Sequence, residues 1–324
     1  MRPVQSKSIK YLFVGLCATL SACGGGGGDG SAKDIPLTDS QLLAVAKSAN
    51  SADWSLTIVD TLQSQGMSYL IGHRKTYFTF PALSGSNTNV LDRNNTPLCS
   101  SGRYTATWNF KSLDYYAVDD TITVDFSNCV RSSGATYNGS EIFSITSSTL
   151  NGTNYITTVT SNLNNLSYTS SKGSAISFSN ADKITYTSSG TYLNNSYAYP
   201  FTYTTNASYT TKLVTTATNL EPGTYTVSNA SMLTNYASDG NSTESASFNS
   251  SDGTYNDVII TNITPTKVTT ENNITTTTYP KNSLTYSGAT INLKTNSSSS
   301  TTMSGTNTDG STFTTVDTGY GYSY

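Results

Sequence analysis

From about residue 102 onward the chain keeps a period of two, and that period limits it to strands. Tyr104, Ala106, Trp108 and Phe110 fall on one side of an extended segment, and Ile122, Val124 and Phe126 on one side of the next. Phe143 and Ile145 follow, then Leu166 with Tyr168, Ile176 with Phe178, Ile184 with Tyr186, Tyr225 with Val227 and Ile291 with Leu293. Neighbouring side chains of a strand point to opposite faces, so this alternation predicts antiparallel strands with one packed face and one wet face. Asn151-Gly152, Asp239-Gly240, Asp252-Gly253 and Asp309-Gly310 lie between strands, where tight turns want positive φ. Asn138-Gly139 is read in the same way, as the turn before the strand of Phe143. The expected fold is all-β: a mainly antiparallel meander, forming a curved sheet, a barrel-like sheet or a sandwich, with a short helical N-terminal part.

Composition narrows the class further. Ser, Thr and Asn make up about two-fifths of the chain, and charged residues only 11%. A disordered tail would be poor in aromatics, but this chain carries 23 tyrosines and 10 phenylalanines. Thr and Tyr suit a half-exposed pleated surface. The net charge of −3 offers no basic face, so nucleic acid is not an expected partner. Ser and Thr also stand where a membrane-spanning barrel would need an apolar outer band. No fixed-period repeat marks a solenoid.

Residues 31–66 read as helical. Thr38, Asp39 and Ser40 follow Pro36 as N-caps, and Leu42, Leu43, Val45 and Ala46 give an apolar face. A second helix is expected over 52–65, with Leu56, Val59 and Leu62 on one side and Gly66 as its stop. Both helices are expected to cover an end or edge of the sheet.

The N-terminus has the parts of an export signal. Arg2, Lys7 and Lys10 precede an apolar run, Tyr11 to Leu20, too short to cross a bilayer as a helix. The run closes on Leu20-Ser21-Ala22-Cys23, which resembles the lipobox of bacterial lipoproteins. The resemblance implies removal of residues 1–22 and attachment of diacylglycerol and an acyl chain such as palmitate to Cys23. It also implies a membrane partner, with the protein lipid-anchored at the outer membrane, on its periplasmic face or at the cell surface. Gly24 stands where an inner-membrane retention signal would place aspartate. The expected organisation is a signal peptide over 1–22, a glycine-rich tether over 23–34, a helical segment over 35–70 and a β domain over 71–324, possible as two subunits of one sheet.

Export makes Cys99 and Cys129 an expected disulfide, since they are the even pair left after Cys17 and Cys23. The stretch containing them resembles a pattern in uncharacterised lipoproteins of Gram-negative bacteria. It runs Cys99, Gly102, Asp119-Asp120, Asn128-Cys129 and Asn138-Gly139-Ser140, about one seventh of the chain. No activity comes with that resemblance.

The chemistry-bearing candidates are few. His73, the single histidine, is read as a structural or surface residue, because serine is too common here for a triad partner to be assigned to it. Asp119-Asp120 is read as a turn, since consecutive strand residues point to opposite faces. Tyr197, Tyr199, Phe201 and Tyr203 form the one aromatic row suited to stacking on a ligand, with a packed core as the competing reading. No catalytic residue, cofactor or metal is expected, and the chain is not expected to be an enzyme. The expected role is a membrane-anchored binding, adhesion or structural module with a glycan or protein ligand. The alternative is a periplasmic carrier or assembly factor for lipid or lipoprotein, with an apolar cavity in a curved sheet.

Overall fold

Thr38 starts the helix on which the rest of the fold is wound. Its Oγ1 accepts from the Gln41 N–H at 3.3 Å, and Gln41 Oε1 accepts from the Thr38 N–H at 2.9 Å, a reciprocal capping box. Leu37 and Leu42 stand before the cap and one turn inside it, the staple positions, and both pack into the core. In the computed structural model, residues 35–70, 82–88, 99–112, 117–178, 181–193, 196–217, 220–239, 241–264, 266–271, 274–278, 281–297 and 300–317 are described.

Helix α1 spans Asp39–Leu70 without a break. Two helices and a stop at Gly66 were expected; one helix forms. The stretch Ser48-Ala49-Asn50-Ser51-Ala52 contains no proline or glycine, so nothing interrupts the hydrogen-bond ladder. Gly66 inside the helix costs ~1 kcal/mol relative to alanine, which is a penalty but not a terminus.

Among the described residues seventeen strands follow: β1 (Ser84–Thr88), β2 (Ser101–Asn109), β3 (Thr121–Val130), β4 (Thr136–Asn151), β5 (Asn154–Thr169), β6 (Ala175–Phe178), β7 (Ala181–Leu193), β8 (Ser196–Val214), β9 (Gly223–Tyr236), β10 (Ser242–Ser251), β11 (Val258–Thr264), β12 (Thr266–Glu271), β13 (Ile274–Thr278), β14 (Lys281–Tyr286), β15 (Ala289–Ser297), β16 (Ser300–Thr306) and β17 (Thr312–Asp317). All described pairings are antiparallel, and they make one sheet. β1 to β5 are a simple meander. β6 and β7 share the row between β5 and β8, each pairing with a different part of both. β9 and β10 come next. β10 then pairs with both β11 and β12, and β11 leads through β14, β15 and β16 to β17.

The sheet curls around α1. The helix touches β3 and β4, then β8 and β9, then β11 and β14, strands that lie far apart in the sheet order. This corrects the expected place of the helix at an end or edge of the sheet. Leu42, Val45, Ala49, Ala52, Leu56, Val59 and Leu62 give it one buried stripe, but Ser48, Ser51, Ser55 and Asp60 are buried too. A helix with small polar residues around its stripe can be enclosed on several sides, because the facing strands supply hydroxyl partners. Ser55 and Tyr209 share a hydrogen bond of 2.7 Å, for example.

A row of bulges supplies curvature. Gly102, Asn128, Gly139 and Asn165 all have positive φ and lie on the four adjacent strands β2 to β5. Each bulge bends and twists its strand. Asn138-Gly139 is therefore not a turn: it lies inside β4, where Asn138 Oδ1 accepts from the Asn128 N–H at 2.7 Å. A Cβ on Gly139 would lie 2.2 Å from the Asn165 carbonyl oxygen, so only glycine fits. The other four Asn-Gly and Asp-Gly dipeptides do fall at turns between strands, with Gly240 itself outside the described residues.

The expected inward residues pack as the alternation requires. Tyr104, Trp108, Ile122, Val124, Phe143, Ile184, Tyr225 and Ile291 are all buried. On the outer face, hydroxyls pair across strands, as in Thr158 with Thr187 and Ser189 with Thr202. The disulfide joins Cys99 to Cys129 with their Cα atoms 5.1 Å apart, beside the first bulges.

Candidate functional site

Several turns of the sheet gather over one side of α1. The β3–β4 turn folds on itself, with Arg131 N–H donating to the Ala135 carbonyl at 2.7 Å and Gly134 N–H to the Arg131 carbonyl at 2.9 Å. The β5–β6 turn repeats the pattern with Ser170, Gly173 and Ser174. The segment between β8 and β9 is pinned to the helix by Ser51, whose Oγ donates to the Glu221 carbonyl at 3.2 Å and accepts from the Glu221 N–H at 2.8 Å. The Tyr225 hydroxyl donates to the same carbonyl.

Between these turns and the helix lies a cleft of about 770 Å³. Asn50, Asp53, Trp54, Thr57, Ile58 and Thr61 line it from the helix, at spacings that place them on one side. That volume is within the range of small-molecule sites. Three rings form much of its wall. Trp54 meets Tyr168 edge to face at 6.0 Å, and Tyr168 meets Tyr137 in the same way at 5.1 Å. Tyr168 is half-buried, and burial raises the pKa of its phenol.

Three side chains give the cleft its charge character. The Arg131 guanidinium lies over the Tyr137 ring, 6.0 Å from the centroid. Its Nη1 is shielded from solvent and meets no hydrogen-bond acceptor. Asp53 borders the cleft half-buried, and burial pushes its carboxyl up to about 6. Lys172 stands exposed on the rim.

A second polar cluster lies deeper. Thr205 Oγ1, fully buried, donates to Asp60 Oδ1. Burial pushes Asp60 up to about 6, against that hydrogen bond. Glu244 is pushed to about 7, first by burial and then by the nearby charges of Asp60 and Asp53. Burial raises the phenols of Tyr186 and Tyr203 as well. Among the described residues, no group of three or more His, Cys, Asp and Glu side chains is arranged to hold a metal ion.

The residues singled out by sequence fall in several places. Cys23 and His73 lie outside the described residues. Asp119 sits in a turn at φ 71° and pairs with Lys111 at 2.8 Å. Asp120 is fully buried, and its two oxygens accept from the Lys111 and Ala117 N–H groups at 2.7 Å each, closing the β2–β3 connection. Tyr197 and Tyr199 belong to β8, with their side chains outside the description. The aromatic row is not a displayed face at its other end. Tyr203 is buried and stacks on Tyr186 at 5.0 Å, and Phe201 stacks on Tyr236 at 4.6 Å. These two rings face inward because the parity of β8 that buries Thr205, Ala207 and Tyr209 includes them.

The cleft residues carry little signal in the sequence. Trp54 offered a signal, as one of only two tryptophans and the one outside the apolar stripe of its helix. Arg131 offered a weaker one, two residues beyond the second disulfide cysteine. Nothing in the sequence brings Trp54, Arg131 and Tyr168 together; that takes the curl of the sheet. Compared with known proteins, the chain matches no family model, no curated protein and no solved structure. The class defined by fold and site is thus structural: an antiparallel sheet wound about one central helix, with an aromatic, partly charged cleft at the turns.

Proposed function

We propose that this chain is a lipid-anchored protein of the bacterial outer membrane whose β domain is a binding module, with the cleft beside Trp54 as its ligand site. The observation that carries the reading is the cleft itself. Three aromatic rings, Arg131 and a rim of serine hydroxyls line about 770 Å³ of open space. Apolar walls with a few placed polar groups are the usual form of a small-ligand site. The anchor half of the reading is supported by Leu20-Ser21-Ala22-Cys23 and the preceding apolar run.

Carriage of a lipid draws less support. It asks for empty apolar space inside the curved sheet, and there α1 packs Leu42, Val45, Leu56, Val59 and Leu62.

Calorimetric titration against neutral, acidic and amino oligosaccharides, short peptides and a fluorescent fatty acid tests the site. The expected result is saturable binding of one class, weakened at least about tenfold by Trp54→Ala with the melting temperature retained. Absence of any binder, or a binder indifferent to Trp54→Ala, rejects the cleft as the site. Intact-mass analysis of membrane-extracted protein tests the anchor. Loss of residues 1–22 with added acyl mass, absent in Cys23→Ala, is expected; an unacylated product rejects it.

A further inference from the structure

Arg131 is placed rather than loose. Its backbone closes the β3–β4 turn through two hydrogen bonds, and its guanidinium rests over Tyr137. Yet Nη1, shielded from solvent, meets no acceptor. Arg131 as a whole is only half-buried and borders the cleft, and a carboxylate matches the planar fork of a guanidinium with two parallel hydrogen bonds.

The remaining lining narrows the ligand. Trp54 and Tyr168 offer ring surface for stacking, and Ile58, Ala217 and Leu220 extend the apolar wall. Ser132, Ser133 and Ser171 place exposed hydroxyls on the rim. Ring surface below and hydroxyls above suit a sugar, which presents C–H faces and equatorial hydroxyls together. The charge balance suits a single negative charge. The lining carries Arg131 and Lys172 against Asp53. A phosphate dianion would instead want several free backbone N–H groups, but those of Arg131, Gly134 and Gly173 are paired within their own turns.

We propose that the cleft takes a uronate, a carboxylated sugar unit of an acidic glycan, with Arg131 anchoring the carboxylate and Trp54 and Tyr168 supporting the ring; this rests on the reading of the cleft as the ligand site. The two are separable, because a neutral sugar bound at Trp54 would keep the site and remove the uronate.

The test compares tri-uronates of the galacto, gluco and manno series as free acids and as their methyl esters, which keep shape but lose charge. Calorimetry is run on wild type, Arg131→Gln and Arg131→Lys, with inorganic phosphate as competitor and melting temperatures recorded for each. The expected result is a free acid binding about 30-fold more tightly than its ester, a ratio falling near one in Arg131→Gln and intermediate in Arg131→Lys. Phosphate at millimolar concentration is expected to compete weakly or not at all. Equal binding of acid and ester, a preference that survives Arg131→Gln, effective competition by phosphate, or no uronate binding in any series would each overturn the proposal. Arg131→Lys retains a positive charge in the turn, so it reports on anchoring geometry even if Arg131→Gln folds poorly.

Discussion

Asn307 holds Leu37 across 270 residues of chain: its Oδ1 accepts from the Leu37 N–H and its Nδ2 donates to the Leu37 carbonyl, each at 2.8 Å. Thr308 adds a bond from its Oγ1 to the Ile35 carbonyl at 2.9 Å. The β16–β17 turn thereby fixes the chain just before the cap of α1, so the last hairpin and the central helix are coupled. Asn307→Ala leaves two partly buried backbone groups unpaired and should cost about 2–3 kcal/mol. Asn307→Asp keeps the acceptor and loses the donor, so it should cost less. Urea denaturation of the three proteins checks the order; an Asn307→Ala variant as stable as wild type would contradict it.

Glycine substitutions separate the bulges from the turns. Gly139 has φ 96° and no room for a Cβ beside the Asn165 carbonyl, whereas Gly152 has φ 64° with nothing within 4 Å of the added carbon. Gly152→Ala should cost only the left-handed penalty, about 1–2 kcal/mol. Gly139→Ala should cost clearly more, because the clash falls on backbone and must open the β4–β5 pairing. Thermal denaturation of both variants decides the matter, and equal losses would mean that the bulge row does not set the curvature.

Acid should stabilise this protein over neutral pH. The carboxyls of Asp60 and Glu244 are pushed to about 6 and about 7 from ordinary values of 3.8 and 4.5. The folded state then holds protons that the unfolded state has released, so stability falls as pH rises between those limits. The contribution is fully present below about pH 4 and is lost as pH climbs through 6 and 7. Melting temperature should therefore drop from pH 5 to pH 8, with a shallower drop in Asp60→Asn, whose side-chain oxygen still accepts from Thr205. A melting temperature rising over that range would contradict the burial of these carboxyls away from any cation.

Tyr203 and Tyr168 should behave differently when truncated. Tyr203→Ala empties a buried position stacked on Tyr186 and should cost about 3–5 kcal/mol, like other large aromatic truncations. Tyr168→Ala removes a half-buried ring from the cleft wall, so it should cost less stability and more affinity. Paired denaturation and ligand titration separate the two; a stable Tyr203→Ala that loses binding would restore the aromatic row as a site.

The strands were legible because burial and period coincide. Tyr104, Ala106 and Trp108 alternate cleanly and are buried in β2, and Phe110 is buried just past its end. The disulfide was legible from the even pair of cysteines left once Cys17 and Cys23 are assigned to the expected export signal. Asn138-Gly139 misled because positive φ serves a bulge as well as a turn, and local sequence does not distinguish the two. The single helix was hidden because Ser48, Ser51 and Ser55 look like solvent-facing residues, yet all three are buried, Ser51 meeting Glu221 and Ser55 meeting Tyr209, over a hundred residues later in the chain. The cleft was hidden for the same reason, since residues near 54, 131 and 168 meet only after the sheet has curled.

The most direct test of the account uses the emission of Trp54. Trp108 is buried, with its Nε1 bonded to the Ala82 carbonyl at 3.0 Å, so Trp108→Phe leaves Trp54 as the sole tryptophan reporter in the cleft. Titration of that variant with the tightest ligand found by calorimetry should change Trp54 emission saturably, with the calorimetric dissociation constant, and should protect it from iodide quenching. Binding by calorimetry with no change in Trp54 emission or quenching would place the ligand elsewhere and contradict the cleft as the site.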